Sequence, residues 1–256
     1  MEHIIFSIEN NVGKITLNRP KVFNSFTMPM ATEMLECLNE CLNNEAIRAI
    51  YLTGAGKAFC AGQDLEEAVS GPHIRDIVKH TYDPIIKKIR GIEKPIICAV
   101  NGVAAGAGAN IALACDITVA SSNASFIQAF CKIGLIPDSA GTFFLPRIIG
   151  VQKATALMML GSKVSAEDAE KMGMIYQVVD HESFEAAAMK IATKLAAMPT
   201  IGLGLTKRLL NQSFTNTLYE QLEMEEELQY QAAETEDHKE GINAFLEKRK
   251  PVFKGK

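Results

Sequence analysis

Twice along this chain a short apolar run ends in a loop of small residues and gives way to a helix pattern. The first instance is residues 49–53, followed by Gly54-Ala55-Gly56 and a stretch reaching Leu65. The second is residues 95–100, followed by Asn101-Gly102 and a Gly/Ala-rich stretch reaching Asp116. Small residues let a backbone approach a ligand or a neighbouring element closely, and the free N–H groups of a helix start attract negative charge. Apolar strands alternating with helices restrict a chain to the α/β class. Two loops of this kind in one chain can aim two N–H donors at one oxygen.

The rest of the chain fits that class. Residues 4–9 and 12–17 read as β-rich runs around Asn10-Asn11, a hairpin. Thr27 is an expected helix N-cap with Pro29 in the first turn, and Met34, Leu35, Leu38 and Leu42 carry the helical period to about residue 44. Further helices are expected over 74–91, over 107–114, from 141, from 153 and over 184–197, with strands over 117–120, 125–130 and 175–179. Ser165-Ala166-Glu167-Asp168 resembles a capping box opening a helix that stops near Gly173. After Pro199 strand patterns end, and 201–254 reads as two or three helices, including 218–234. The expected division is an α/β core over 1–199 and a helical region over 200–256.

Composition removes several function classes. A chain of 256 residues, 48% hydrophobic, can bury one large core. A net charge of −4 gives no general attraction to nucleic acid, although Lys248, Arg249, Lys250, Lys254 and Lys256 form a basic tail suited to a solvated end or a phosphate contact. Residues 95–120 are the least polar stretch, but Asn101, Asn110 and Asp116 interrupt it, so a membrane span is not expected. Six scattered cysteines without a CxxC pair, and a start without a signal-peptide pattern, point to reduced thiols and a cytoplasmic protein. His3, His73, His80, His181 and His238 are isolated, so no metal site is expected.

Other readings of the small-residue loops are weaker. Gly106-Ala107-Gly108-Ala109-Asn110-Ile111 begins like a dinucleotide fingerprint, yet Ile111 stands at its third glycine; Gly56-Lys57 lacks the earlier glycine of a phosphate loop, since Tyr51 is there. Tight helix–strand packing uses the same residues. The loops alone leave the chemistry open.

Four ordered blocks resemble the crotonase (enoyl-CoA hydratase/isomerase) superfamily: 18–24 (NRPKVFN), 52–65 (LTGAGKAFCAGQDL), 94–117 (KPIICAVNGVAAGAGANIALACDI) and 134–150 (GLIPDSAGTFFLPRIIG), with weaker similarity over 165–179. The resemblance implies a spiral of ββα turns with a helical C-terminal region that packs in trimers or dimers of trimers. It implies a CoA thioester as the substrate and no separate cofactor. The enolate oxygen would be held by the backbone N–H groups of Gln63 and Ala107, the latter a glycine in many relatives. CoA would run along Lys21, Val22, Ala61, Asp64 and Leu65, with Phe253 and Lys256 helping, sometimes from a neighbouring subunit.

Water addition needs a base for the nucleophile and an acid for the carbon. The two positions where hydratases of the superfamily carry glutamates are Asn110 and Phe130 here, so hydration is not expected. Asp138 remains, read from local sequence either as an N-cap for the helix after Gly141 or as a single base. Superfamily Δ3,Δ2-enoyl-CoA isomerases can carry their acid there, as does 4-chlorobenzoyl-CoA dehalogenase, whose Asp is a nucleophile. That enzyme also has a Trp at the place of Phe130, and this chain has no Trp. The blocks GVAAGAGANIALACDI and GLIPDSAGTFFLPR are most similar to the ring-epoxide isomerases of phenylacetate catabolism, which convert ring-1,2-epoxyphenylacetyl-CoA to oxepin-CoA. On that resemblance Asp138 is the base, Phe130 and Ile136 border the acyl pocket, and Asn110 and Gln128 contact the substrate oxygen or orient Asp138. The alternatives are an aliphatic Δ3,Δ2-enoyl-CoA isomerase, a hydratase, and a non-catalytic CoA-binding homologue. Leu135, Ile136 and Phe143 are expected to desolvate Asp138.

Overall fold

The computed structural model describes residues 1–256. β1 (Ile4–Glu9) and β2 (Val12–Leu17) pair antiparallel, and their loop residues Asn10 and Asn11 both take positive φ, 52° and 62°. That is the tight turn whose twist suits a hairpin, and asparagine tolerates it. The Thr27 side chain accepts the Met30 N–H and starts α1 (Met28–Asn43). The chain then enters β3 (Ala49–Gly54) and β4 (Ala58–Cys60). Next come α2 (Leu65–Ser70), α3 (Ile74–Ile77), a π-helical turn at Val78–Tyr82, and α4 (Asp83–Gly91). The second winding is β5 (Ile96–Val100), β6 (Val103–Ala105) and α5 (Ala107–Ala114). The third is β7 (Ile117–Ser121), β8 (Ser125–Ile127), a 3-10 turn, α6 (Gly141–Ile149) and α7 (Val151–Leu160). β9 (Lys163–Ser165), α8 (Ala166–Lys171), β10 (Gln177–Val179) and α9 (Phe184–Ala196) complete the α/β part. α10 (Thr200–Gln212), α11 (Leu218–Ala233) and α12 (Glu236–Leu246) follow.

Each winding lays one strand in each of two sheets. The larger sheet runs β1-β2-β3-β5-β7-β10 and is parallel from β2 onward; the smaller runs β4-β6-β8-β9. This is the expected spiral of ββα turns. Of the smaller sheet only β8 was expected as a strand; β4, β6 and β9 are three residues long, too short to show a period of two. Three expectations shift in detail. The 74–91 helix is broken by the π turn. The 125–130 strand ends at Ile127. At Ser165 only half a capping box forms, because Asp168 Oδ2 lies 2.9 Å from the Ser165 hydroxyl, while Ser165 Oγ accepts the Asp168 N–H.

One face of the larger sheet (Val12, Tyr51, Ala99, Val119) packs on a stripe of α9 at a spacing of four, Phe184, Ala188, Ala192 and Ala196. Its other face joins the main core, which holds the smaller sheet and α5, every residue of which is buried. All six cysteines are unpaired, and five are buried. No helix is long and apolar enough to cross a membrane.

α10 is pinned to the core by a buried ammonium. Lys207 Nζ donates to the Ile89 carbonyl at 2.7 Å and to Asp116 Oδ2 at 2.8 Å; Arg90 reaches Asp116 Oδ1 at 3.1 Å and also bonds Asn211 on α10.

Candidate active site

The two small-residue loops meet at one cavity of about 480 Å³. In the first loop Gly62 has φ +92°. The segment pairs with Phe26: the Phe26 N–H donates to the Gly62 carbonyl at 2.7 Å, and the Asp64 N–H donates to the Phe26 carbonyl at 2.9 Å. In an extended segment alternate residues point their N–H groups to opposite edges. The Gln63 N–H therefore faces away from Phe26; it has no acceptor in the protein, and Gln63 lines the cavity.

In the second loop Gly106 adopts φ 54°, ψ −127°, a region open only to glycine. Ala107 then begins α5, so its N–H has no intrahelical acceptor, and it also lines the cavity. Being helical, it carries a Cβ without strain. Gly108 is held for another reason: a Cβ there would lie 2.4 Å from the Cys60 carbonyl oxygen. A Cβ on Gly62 would fall 3.6 Å from the Ala107 nitrogen, so the loops carrying the two free N–H groups lie against each other.

Asp138 is on the same wall, in a loop where Ser139 and Ala140 have φ 50° and 57°. Its carboxyl does not cap α6; the N-cap is Ala140, and only the Asp138 carbonyl accepts the Gly141 N–H. Burial pushes the carboxyl from 3.8 up to about 6, the Ser139 hydroxyl at 2.8 Å opposing and the Asp83 charge adding to the rise. Of the apolar residues expected around it, Leu135 is on the cavity wall. Ile136 is 82% exposed and off the wall, because its side chain turns outward from the loop. Phe143 is also off the wall, packed edge-on against Phe144 and Phe214 with the Arg147 guanidinium over its ring. The expected pocket role of Ile136 is therefore corrected.

Asn110 and Gln128 are 0% and 2% exposed and are not on the wall, which corrects their reading as substrate contacts. They form a strut behind Asp138, which fits the other expected role, that of orienting it. Gln128 Nε2 donates to Asn110 Oδ1 at 2.8 Å, and Asn110 Nδ2 donates to the Asp138 carbonyl at 2.9 Å. Phe130 does line the cavity, near Gly106.

Val22, Ala61, Asp64 and Leu65 lie on the wall; Lys21 is exposed and lies off it. Arg19 was not anticipated. Its Nη1 donates to Asp64 Oδ2 at 2.9 Å. Burial raises the Asp64 carboxyl, but Arg19, the Glu67 N–H and the Ser25 hydroxyl together hold it below its ordinary value. Tyr82, also on the wall and also missed, donates its hydroxyl to Gln63 Oε1 at 2.7 Å. Phe253 and Lys256 do not reach this cavity within one chain: Phe253 borders a separate hollow with α12 residues, and Lys256 Nζ lies 3.8 Å from Glu45. His73 caps α3, and neither it nor His80 is on the wall. No three His, Cys, Asp or Glu side chains cluster as metal ligands.

A spiral of ββα turns converging two free amides on one cavity places the protein among the crotonase-fold enzymes. Residues 7–256 match the enoyl-CoA hydratase/isomerase family, and the chain belongs to that family. It is 46% identical to the 1,2-epoxyphenylacetyl-CoA isomerase of Escherichia coli K12, over 100% of both chains. It is 35% identical to the trans-2-decenoyl-[acyl-carrier-protein] isomerase of Streptococcus mutans, over 100% of this chain and 99% of that protein. Among solved structures, the enoyl-CoA hydratase of Bacillus anthracis superposes with a TM-score of 0.93 at 34% identity, covering 99% of this chain and 100% of that one.

Proposed function

We propose that the protein is an acyl-CoA isomerase that converts ring-1,2-epoxyphenylacetyl-CoA to oxepin-CoA, with Asp138 as its single base. The observation that carries this reading is the carboxylate inventory of the cavity. Asp64 is held ionised by Arg19, and Glu66 is exposed. Asp138 is the one acid on the wall whose proton affinity is raised toward neutrality. Asn110 and Phe130 occupy the places where a hydratase would need its two acids.

In this mechanism the Asp138 carboxylate takes the proton α to the thioester. The Gln63 and Ala107 N–H groups hold the enolate oxygen, a type of contact worth about 10²–10³ in rate per donor. The C–C bond shared by epoxide and ring opens to the seven-membered ether. Asp138 returns the proton to a ring carbon, so no atom is gained or lost. Phe130 and Leu135 supply apolar wall for the ring, and CoA leaves the cavity past Val22, Ala61 and Leu65, with Lys21 near its phosphates. Phe253 and Lys256 reach the CoA of a neighbouring subunit in a trimer or dimer of trimers, whose contacts use exposed apolar residues such as Leu218, Tyr219, Phe245 and Leu246.

Asp138→Asn is expected to keep fold and CoA binding and to lose nearly all isomerase activity; an active variant sinks the single-base mechanism. The Streptococcus mutans likeness favours a second reading, a double-bond isomerase for aliphatic thioesters. A side-by-side assay of the ring epoxide and 3-hexenoyl-CoA separates the two.

A further inference from the structure

We propose that Tyr82 is a positioning residue for the enolate donors: delivered to the cavity wall by the π-helical turn, its hydroxyl fixes the Gln63 side chain and, through it, the Gln63 backbone N–H. The proposal rests on the reading of Gln63 N–H as one of the two donors.

A regular helix over 74–91 would send its side chains around at about 100° per residue. The π turn at Val78–Tyr82 adds a residue to that winding and changes which side chain faces the cavity, a device that recurs at functional sites. Here the side chain brought in is Tyr82, 1% exposed yet part of the wall. The same turn leaves the Thr81 hydroxyl buried without a hydrogen-bond partner. Pro84, which has no N–H for the His80 carbonyl and whose ring crowds it, gives the helix a local reason to widen there, and the outcome is the inward Tyr82.

The Gln63 carboxamide is gripped at both ends. Tyr82 OH donates to its Oε1 at 2.7 Å, and its Nε2 donates to Glu67 Oε2 at 2.9 Å. Glu67 is itself held by the Met28 N–H, at 3.0 and 3.2 Å from its two oxygens, at the start of α1. The backbone on either side of Gln63 is bound to Phe26, and the Tyr82 ring packs on Phe26 with centroids 6.0 Å apart. The side chain and the two neighbouring backbone groups, Gly62 C=O and Asp64 N–H, are thus tied, while the Gln63 N–H that faces the cavity has no acceptor in the protein. Preorganised donors act in catalysis because they do not have to reorient as charge develops. Tyr82 completes that restraint from the side opposite Glu67.

The test uses 2,4-hexadienoyl-CoA, a chromophore whose absorption moves to the red when its carbonyl is polarised. Bound to the wild-type protein it is expected to shift. Tyr82→Phe, which keeps the ring and loses the hydroxyl, is expected to bind within about twofold of wild type, to show a smaller red shift, and to lower kcat about tenfold, the effect of one lost hydrogen bond. Gln63→Met should do the same, and the double variant should be no worse than either single one. A wild-type shift and kcat in Tyr82→Phe overturn the proposal. If that variant does not fold, Gln63→Met carries the test, and an undiminished shift in it overturns the proposal equally. If wild type itself leaves the spectrum unmoved, the donor reading of Gln63 fails, and the role of Tyr82 falls with it.

Discussion

Asp138, the proposed base, is also a liability to the fold. With its folded pKa near 6 and an ordinary value of 3.8, it binds its proton more tightly folded than unfolded. It therefore favours folding below about pH 4, and that contribution is lost as pH rises through 6. At about 1.4 kcal/mol per pH unit of displacement, discounted for the open side of the cavity, Asp138→Asn should raise stability by roughly 2 kcal/mol at pH 7.5 and by little at pH 4. Urea titrations of both proteins at the two pH values check this. The activity runs the other way: only the carboxylate accepts a proton, so kcat/KM should fall about tenfold per pH unit below 6. A profile flat to pH 5 would contradict the raised carboxyl. Asp138 was legible in the sequence because a lone acid in a Gly/Pro loop is a local feature. The strut behind it was legible only as one of two readings: Gln128, Asn110 and Asp138 are brought together across 18 and 28 residues of chain, and residue type alone does not separate orienting Asp138 from contacting the substrate oxygen.

At the level of elements, the spacing between α5 and β4 sets where the Ala107 N–H lies. With a Cβ on residue 108 only 2.4 Å from the Cys60 carbonyl and 2.7 Å from its sulfur, Gly108→Val must push the two apart. Overpacking of this kind costs about 1–3 kcal/mol, and a donor displaced by about 1 Å can cost 10²-fold in rate. Turnover and thermal denaturation should both fall, whereas Gly91→Ala, with no atom within 4 Å of the new Cβ, should leave both near wild type. Long elements were readable from their periods. Most of the smaller sheet was not, since Ala58–Cys60 and Val103–Ala105 look from sequence like parts of loops. The π turn escaped for a related reason: Pro84 marks a disturbed helix, but a period of 3.6 does not show that the disturbance is resolved by one added residue, on which the inward aim of Tyr82 depends.

Over the whole molecule, the helical C-terminal part is joined to the α/β part through charge as well as apolar contact. Burial pushes the Lys207 ammonium down and Asp116 opposes this, so the pair depends on both members. Lys207→Met removes one and leaves Asp116 with Arg90 and the Ile96 N–H. Breaking a buried pair costs about 3–5 kcal/mol, and the lower end is expected here because Arg90 remains. Denaturation in urea measures it; an unchanged midpoint would show that α10 is held by packing. The sequence marked the change of character at Pro199 but not this cross-link, whose partners lie 91 residues apart. The two amides that border the cavity without an acceptor have a different consequence. Ala107 is 2% exposed and begins a helix buried on every side, where amide protons ordinarily exchange with solvent only when structure opens. Its N–H and that of Gln63 border a cavity instead, so in hydrogen–deuterium exchange they should trade their protons well ahead of their neighbours. A bound acyl-CoA should slow these two amides above all others, which makes occupancy of the site readable without any turnover.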